Sequence, residues 1–161
     1  MRQIQIAIAV LILFASDHLL GEVAGSLERR YVLPDHGNFV VQVPRSWNDR
    51  LHQPPNRLPP TIVFRQSSGQ PFEFLLTTLW PATKDRPPAS RESLRRQVEQ
   101  SARMAKSQAM ESELRVIEFQ ARSGEGFYFS ATDRAPKPGE YKFITQGILH
   151  VGDRCATIFS P

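Results

Sequence analysis

One cysteine in 161 residues, Cys155, leaves no partner for an intramolecular disulfide. No Cys-His or Cys-x-x-Cys spacing surrounds it. Its apolar neighbours read it as a small buried hydrophobe in a strand, with a reactive thiol as the alternative. Beyond the amino terminus no apolar run is long enough to span a bilayer, and no repeat of solenoid or propeller period is present. A glycine-rich phosphate loop, zinc-ligand spacing, a nucleophile elbow and His-Glu-x-x-His are all missing. Nucleotide, zinc and serine-hydrolase chemistry therefore have no signature here, and no cofactor or metal is expected. Glycine is scarcer than proline, 9 against 13, which favours stiff connections over flexible tails.

What is present is an ordinary globular composition, 40% hydrophobic and 22% charged, in a chain long enough for one domain with its own core. The formal charge of +4 is concentrated between Lys84 and Lys106. There Lys84, Arg86, Arg91, Arg95, Arg96, Arg103 and Lys106 face only Asp85, Glu92 and Glu99. A basic helix of this kind is either a solvated face or a docking surface for an anionic partner.

The amino terminus has the layout of an export signal. Arg2 precedes an apolar run from Ile4 to Ala15, Asp17 and His18 interrupt it, and the small residues Ala24, Gly25 and Ser26 follow. Residues 1–25 are read as a signal peptide cleaved after Gly25, and residues 26–161 as a single domain, periplasmic or secreted. An uncleaved anchor is the alternative. The absence of a cysteine after the run excludes a lipid-anchored form.

Strands are expected at Tyr31–Leu33, Phe39–Val43, Thr61–Arg65 and Phe72–Trp80, the last three as an antiparallel meander. The turn Pro34-Asp35-His36-Gly37-Asn38 separates the first pair, and Asn48–Pro60 reads as a polar, proline-studded loop. Pro44 ends the Phe39 strand, and Trp47 three residues on is placed as a hydrophobic plug. Pro81, Pro87 and Pro88 deliver the chain to a helix over 90–109, with Ser90 as its N-cap and Glu92 at the positive end of its dipole. Leu94, Val98, Ala102, Ala105 and Ala109 form one narrow apolar stripe on it. Leu114–Ala121 is a further strand, and Cys155–Phe159 the last.

Between these lies a long β-hairpin from Gly124 to Val151, closed by Asp133, Pro136, Pro138 and Gly139. Phe127, Phe129, Tyr141, Phe143, Leu149 and Val151 share one parity, and Ile144 and Ile148 the other, so both faces of the sheet need cover. The expected fold is α+β: an antiparallel sheet of about six to seven strands packed by the helix at 90–109. One helix covers one face. The sequence reading therefore expects a missing second cover, from truncation or a shifted frame after about Asp153, with Ser26–Arg30 or a second chain as the alternative cover.

The run Asn38-Phe39-Val40-Val41-Gln42-Val43-Pro44-Arg45-Ser46-Trp47, a strand closed by Pro-x-x-Trp, resembles the opening of PsbP-like and DcrB-like α/β sandwich proteins. The order of strand, Pro-x-x-Trp, strands, helix, strands across residues 31–159 is similar to an uncharacterised group of bacterial exported proteins in that superfamily. The resemblance implies an antiparallel sheet between helices, with a terminal strand and helix that this chain lacks. It also implies members that mostly bind protein partners, and it carries over no catalytic residues.

Two functional readings follow. The first is a non-enzymatic envelope protein that docks an unknown protein or anionic envelope component. Its candidate binding residues are Asp133 and Arg134 at the hairpin tip and Arg95, Arg96 and Arg103 on the helix. No nucleic acid is expected, and the membrane is met only through the signal segment. The alternative is a small periplasmic hydrolase or ligand-binding domain assembled from His36, Asp133 and His150. Each of these residues also has a structural reading, Asp133 as a turn former and the histidines as surface or turn groups; His52, in the proline-rich loop, is read the same way.

Overall fold

In the computed structural model, residues 8–9, 25–33, 37–55, 58–68, 72–78, 90–121, 124–151 and 154–160 are described. His36, Trp80, Pro81, Pro87 and Pro88, and most of residues 1–25, lie outside them. Eleven elements follow in order: β1 (Ile8–Ala9), β2 (Ser26–Leu33), β3 (Gly37–Pro44), β4 (Trp47–His52), β5 (Thr61–Gln66), β6 (Glu73–Thr78), α1 (Arg91–Ala105), β7 (Ile117–Ala121), β8 (Gly124–Thr132), β9 (Phe143–Val151) and β10 (Arg154–Ser160). Among the described residues no helix is long and apolar enough to cross a membrane.

Seven strands form one antiparallel sheet in the order β4-β5-β6-β10-β9-β8-β7. The last strand thus enters between β6 and β9 and joins the two halves. A separate sheet holds β2 and β3 as an antiparallel pair, with β1 parallel to β3 on its other edge. The chain is a sheet-dominated α+β fold, as its strand and helix patterning predicts.

The long hairpin forms with Phe127 opposite Ile148 and Gly126 opposite Leu149. In this register odd positions of β8 share a face with even positions of β9. Phe127, Phe129, Ala131 and Ile148 accordingly pack under α1 with Leu94, Val98 and Ala102, while Leu149 and Val151 face the opposite side. Numbering parity holds within each strand but not across the pair. At the tip, Glu140 N–H donates to Lys137 O at 2.9 Å and Gly139 has φ 86, the torsion a Pro-Gly turn of type II requires at its third position.

The helix starts where expected: Ser90 Oγ accepts from Ser93 N–H at 3.2 Å. It ends earlier than 90–109. Residues 108–110 are captured by the end of β8, with Met110 N–H donating to Thr132 O at 2.8 Å and Arg134 N–H to Gln108 O at 2.9 Å. Ala109 is buried as the stripe predicts, but in a bridge to Asp133 rather than a helical turn.

Two expectations are corrected. The meander is β4-β5-β6, not one led by Phe39–Val43; Asn48–His52, expected as the start of the polar loop Asn48–Pro60, continues from Trp47 as an edge strand. Its Asn48-Asp49-Arg50 core is hydrophilic because an edge strand needs no apolar run, and charge there discourages pairing with other chains. The second correction concerns the cover. β3 is not in the seven-stranded sheet. The β2–β3 hairpin lies across the face opposite α1, placing Tyr31, Leu33, Phe39, Val41 and Val43 against Trp47, Ile62, Phe64, Leu76, Leu149 and Val151. With β3 in a layer of its own rather than in the large sheet, neither face of that sheet is left bare. Tyr31 also anchors the layers by donating to Asp49 Oδ2 at 2.8 Å, beside Arg29 Nε at 3.2 Å from Asp49 Oδ1. Burial, reinforced by Asp49, pushes the Tyr31 hydroxyl well above the ordinary phenol range.

Candidate functional site

The amphipathic stripe turns Leu94, Val98 and Ala102 toward the sheet, and so leaves Arg95, Arg96 and Arg103 outward. After the bridge at Ala109 the chain runs back beside α1 through residues 112–116 to reach β7. A groove of about 720 Å³ lies between helix and returning segment. Arg95, Glu99, Arg103 and Lys106 line the helix side, and Glu113 and Arg115 the other. Ala102, Leu114 and Val116 add apolar surface to it.

Most of these charges are already engaged. Arg95 Nε lies 3.0 Å from Glu99 Oε1, and Arg115 Nε 3.8 Å from Glu113 Oε2. Lys106 Nζ donates to the carbonyl of Glu111 at 2.8 Å. Arg103 makes no ion pair or hydrogen bond with another described residue. Four cations against two carboxylates, with one guanidinium free, give the groove a positive field over an apolar lining. A guanidinium in such a place can take a carboxylate in a bidentate pair.

The returning segment is held by a clamp that no local pattern announces. Both carboxylate oxygens of Glu111 accept from Thr132 N–H at 3.0 Å, and Oε1 also accepts from the Thr132 hydroxyl at 2.7 Å. These bonds hold the Glu111 carboxyl below its ordinary range. At the other end of α1, Arg91 donates to Glu118 and lies 3.7 Å from Glu125. The contact with Arg91 keeps Glu118 ionised to lower pH.

The structure separates the residues the sequence nominated. Arg95 and Arg103 line the groove, and Arg96 does not. Asp133 Oδ1 accepts from Ala135 N–H at 2.9 Å, a turn-forming bond, and its own N–H donates to Lys142 O. Arg134 Nη2 donates to Ala109 O at 2.9 Å, tying the hairpin tip to the bridge after α1. Asp133 and His150 sit at opposite ends of the hairpin, roughly 25 Å apart at the usual rise per strand residue. His36 lies outside the described residues.

One juxtaposition escaped the sequence reading. Glu125, His150 and Cys155 are register neighbours across β8, β9 and β10. Their positions are 25 to 30 residues apart or separated by a turn, so only the strand order reveals the row. Cys155 packs against the cluster beneath α1, and its partial burial raises the thiol pKa, favouring the protonated form. Among the described residues no group of three or more His, Cys, Asp or Glu is placed to hold a metal ion. The chain matches no protein-family model, no curated protein and no solved structure.

Proposed function

We propose that this chain is an exported, non-enzymatic binding module of the PsbP-like and DcrB-like sandwich type, and that it docks an acidic protein along the groove between α1 and residues 112–116. The observation that carries the reading is Arg103, unpaired within a groove where cations outnumber carboxylates and apolar side chains lie between them. The export signal at residues 1–25 supplies the periplasmic or secreted setting, and the Pro-x-x-Trp strand end supports the superfamily. The hydrolase alternative needs Asp133 and His150 in one pocket, and the length of the hairpin lies between them.

The test uses the full chain and a fluorescent poly-glutamate peptide as probe. Binding is expected to weaken at least about tenfold on raising salt to about 0.5 M, where exposed charges are screened beyond a few ångströms. Arg95→Glu combined with Arg103→Glu abolishes it, while Arg96→Glu has a smaller effect. Salt-independent binding, or equal loss in all three positions, overturns the groove as the site. A pull-down from an envelope extract then identifies the partner. Mass spectrometry of the exported protein should find Ser26 at its amino terminus.

A further inference from the structure

The β2–β3 layer is asymmetric on its outer surface. Along β3, Phe39, Val41 and Val43 face the core, so Val40 points away from it. Val40 is nevertheless only 4% exposed, although it belongs to neither core cluster. On the neighbouring strand the outward residue Val32 is 69% exposed, and Glu28 and Arg30 are exposed with it. The outer side of β3 is therefore covered at Val40, with Asn38 and Gln42 half-buried, and that of β2 is open. β2 takes one edge of β3, and Ile8 and Ala9 take the other, in parallel, in register with Val41 and Gln42.

We infer that β3 is a strand-acceptor site, whose outer edge and Val40 surface take an extended apolar segment in parallel, and that its occupant is the chain's own amino-terminal run, seated through Ile8 and Ala9. The chemistry of the two sides matches. β3 presents a row of backbone donors and acceptors plus a valine on an otherwise polar face. The run from Ile4 to Ala15 is apolar apart from Gln5 and carries no charge. Gly-Asn-Phe-Val-Val-Gln-Val is charge-free as well, so an unoccupied β3 edge is the kind of flat apolar edge that pairs with other chains. Seating the run there protects that edge for as long as the run is attached, and cutting after Gly25 opens it. This inference does not depend on the basic groove.

The test is a crosslink in the full chain. In a Cys155→Ser background, Ala9→Cys with Gln42→Cys puts two thiols at register neighbours, while Ala9→Cys with Glu28→Cys puts the second thiol one strand further away. Mild oxidation should close the first pair within one molecule, seen as a loss of two hydrogens in the intact mass and one linked peptide, several-fold faster than the second. Val40→Asp should lower the yield of the first crosslink at least about tenfold, because a charge would be buried under the run. Val32→Asp, on the open side, should leave the yield unchanged. Crosslinks only between molecules assign the edge to a second copy and overturn the inference, as does equal crosslinking of the two pairs. Equal yields with Val40→Asp and Val32→Asp overturn the covering of β3's outer face.

Discussion

Trp47 shows how much one side chain does at the junction of the two layers. It begins β4, is 6% exposed, and packs tilted against Phe72 at 5.2 Å between ring centroids, within the cluster that the β2–β3 hairpin closes. Trp47→Ala should cost about 3 to 5 kcal/mol, measured as the shift of the urea midpoint at constant slope. A loss under about 1 kcal/mol would mean the hairpin does not bear on it. Gly126 is the opposite case, a place where the missing side chain matters. It lies opposite Phe119, and a methyl group built there would meet the Ile148 carbonyl oxygen and come within 2.5 Å of Phe119 Cζ. Phe119 also packs against Tyr128 at 6.0 Å, so the ring has little freedom to yield. Gly126→Ala is expected to destabilise by about 1 to 3 kcal/mol despite the better strand propensity of alanine. The tryptophan was legible in the sequence, because a large aromatic three residues past a strand-ending proline can fold back onto the core. The glycine was not, since its role depends on a ring seven residues upstream across a strand pair.

Among the elements, α1 and its return segment are joined by the Glu111–Thr132 clamp, and this sets a pH dependence. The folded carboxyl titrates below the ordinary glutamate value of about 4.3. The clamp therefore adds stability that is complete above that value and is lost as pH falls through the folded one. Acid titration of the urea midpoint should show this loss, and Glu111→Gln should flatten that part of the profile while leaving the neutral-to-alkaline part parallel to the parent. An unchanged acid limb would show that Thr132 does not hold the carboxylate. The helix itself was readable from its stripe and its Ser90 cap. Its end was not, because the strand-like capture of residues 108–110 by β8 outweighs three or four residues of further helical propensity.

At the scale of the whole molecule, one seven-stranded sheet is covered on its two faces by unlike elements, a helix and a hairpin. The hairpin carries its face's apolar burden through Leu33, Phe39 and Val41, all under 5% exposed. Phe39→Asp buries a charge in the apolar cluster opposite Tyr31, and the layer should detach before the sheet unfolds. The expected result is a gain in binding of an apolar-surface dye at denaturant concentrations where the far-ultraviolet dichroism is still native. Coincident loss of both signals would show that the two layers melt as one unit.

Periodicity, capping residues and breaker clusters are local, and they determined the strands at Phe39, Thr61 and Phe72, the start of the helix, the long hairpin and its turn. They also supplied the candidate cations, since Arg95 and Arg103 fall off the apolar stripe by spacing alone. Pairing is not local. Whether Phe39–Val43 joins the large sheet or lies across it, which parity of β8 meets which parity of β9, and what lies beside Arg103 depend on contacts between residues tens of positions apart. An alternating strand satisfies its own backbone equally well in either layer. Only the competition among all apolar faces for burial selects the layer, and that competition is resolved in three dimensions.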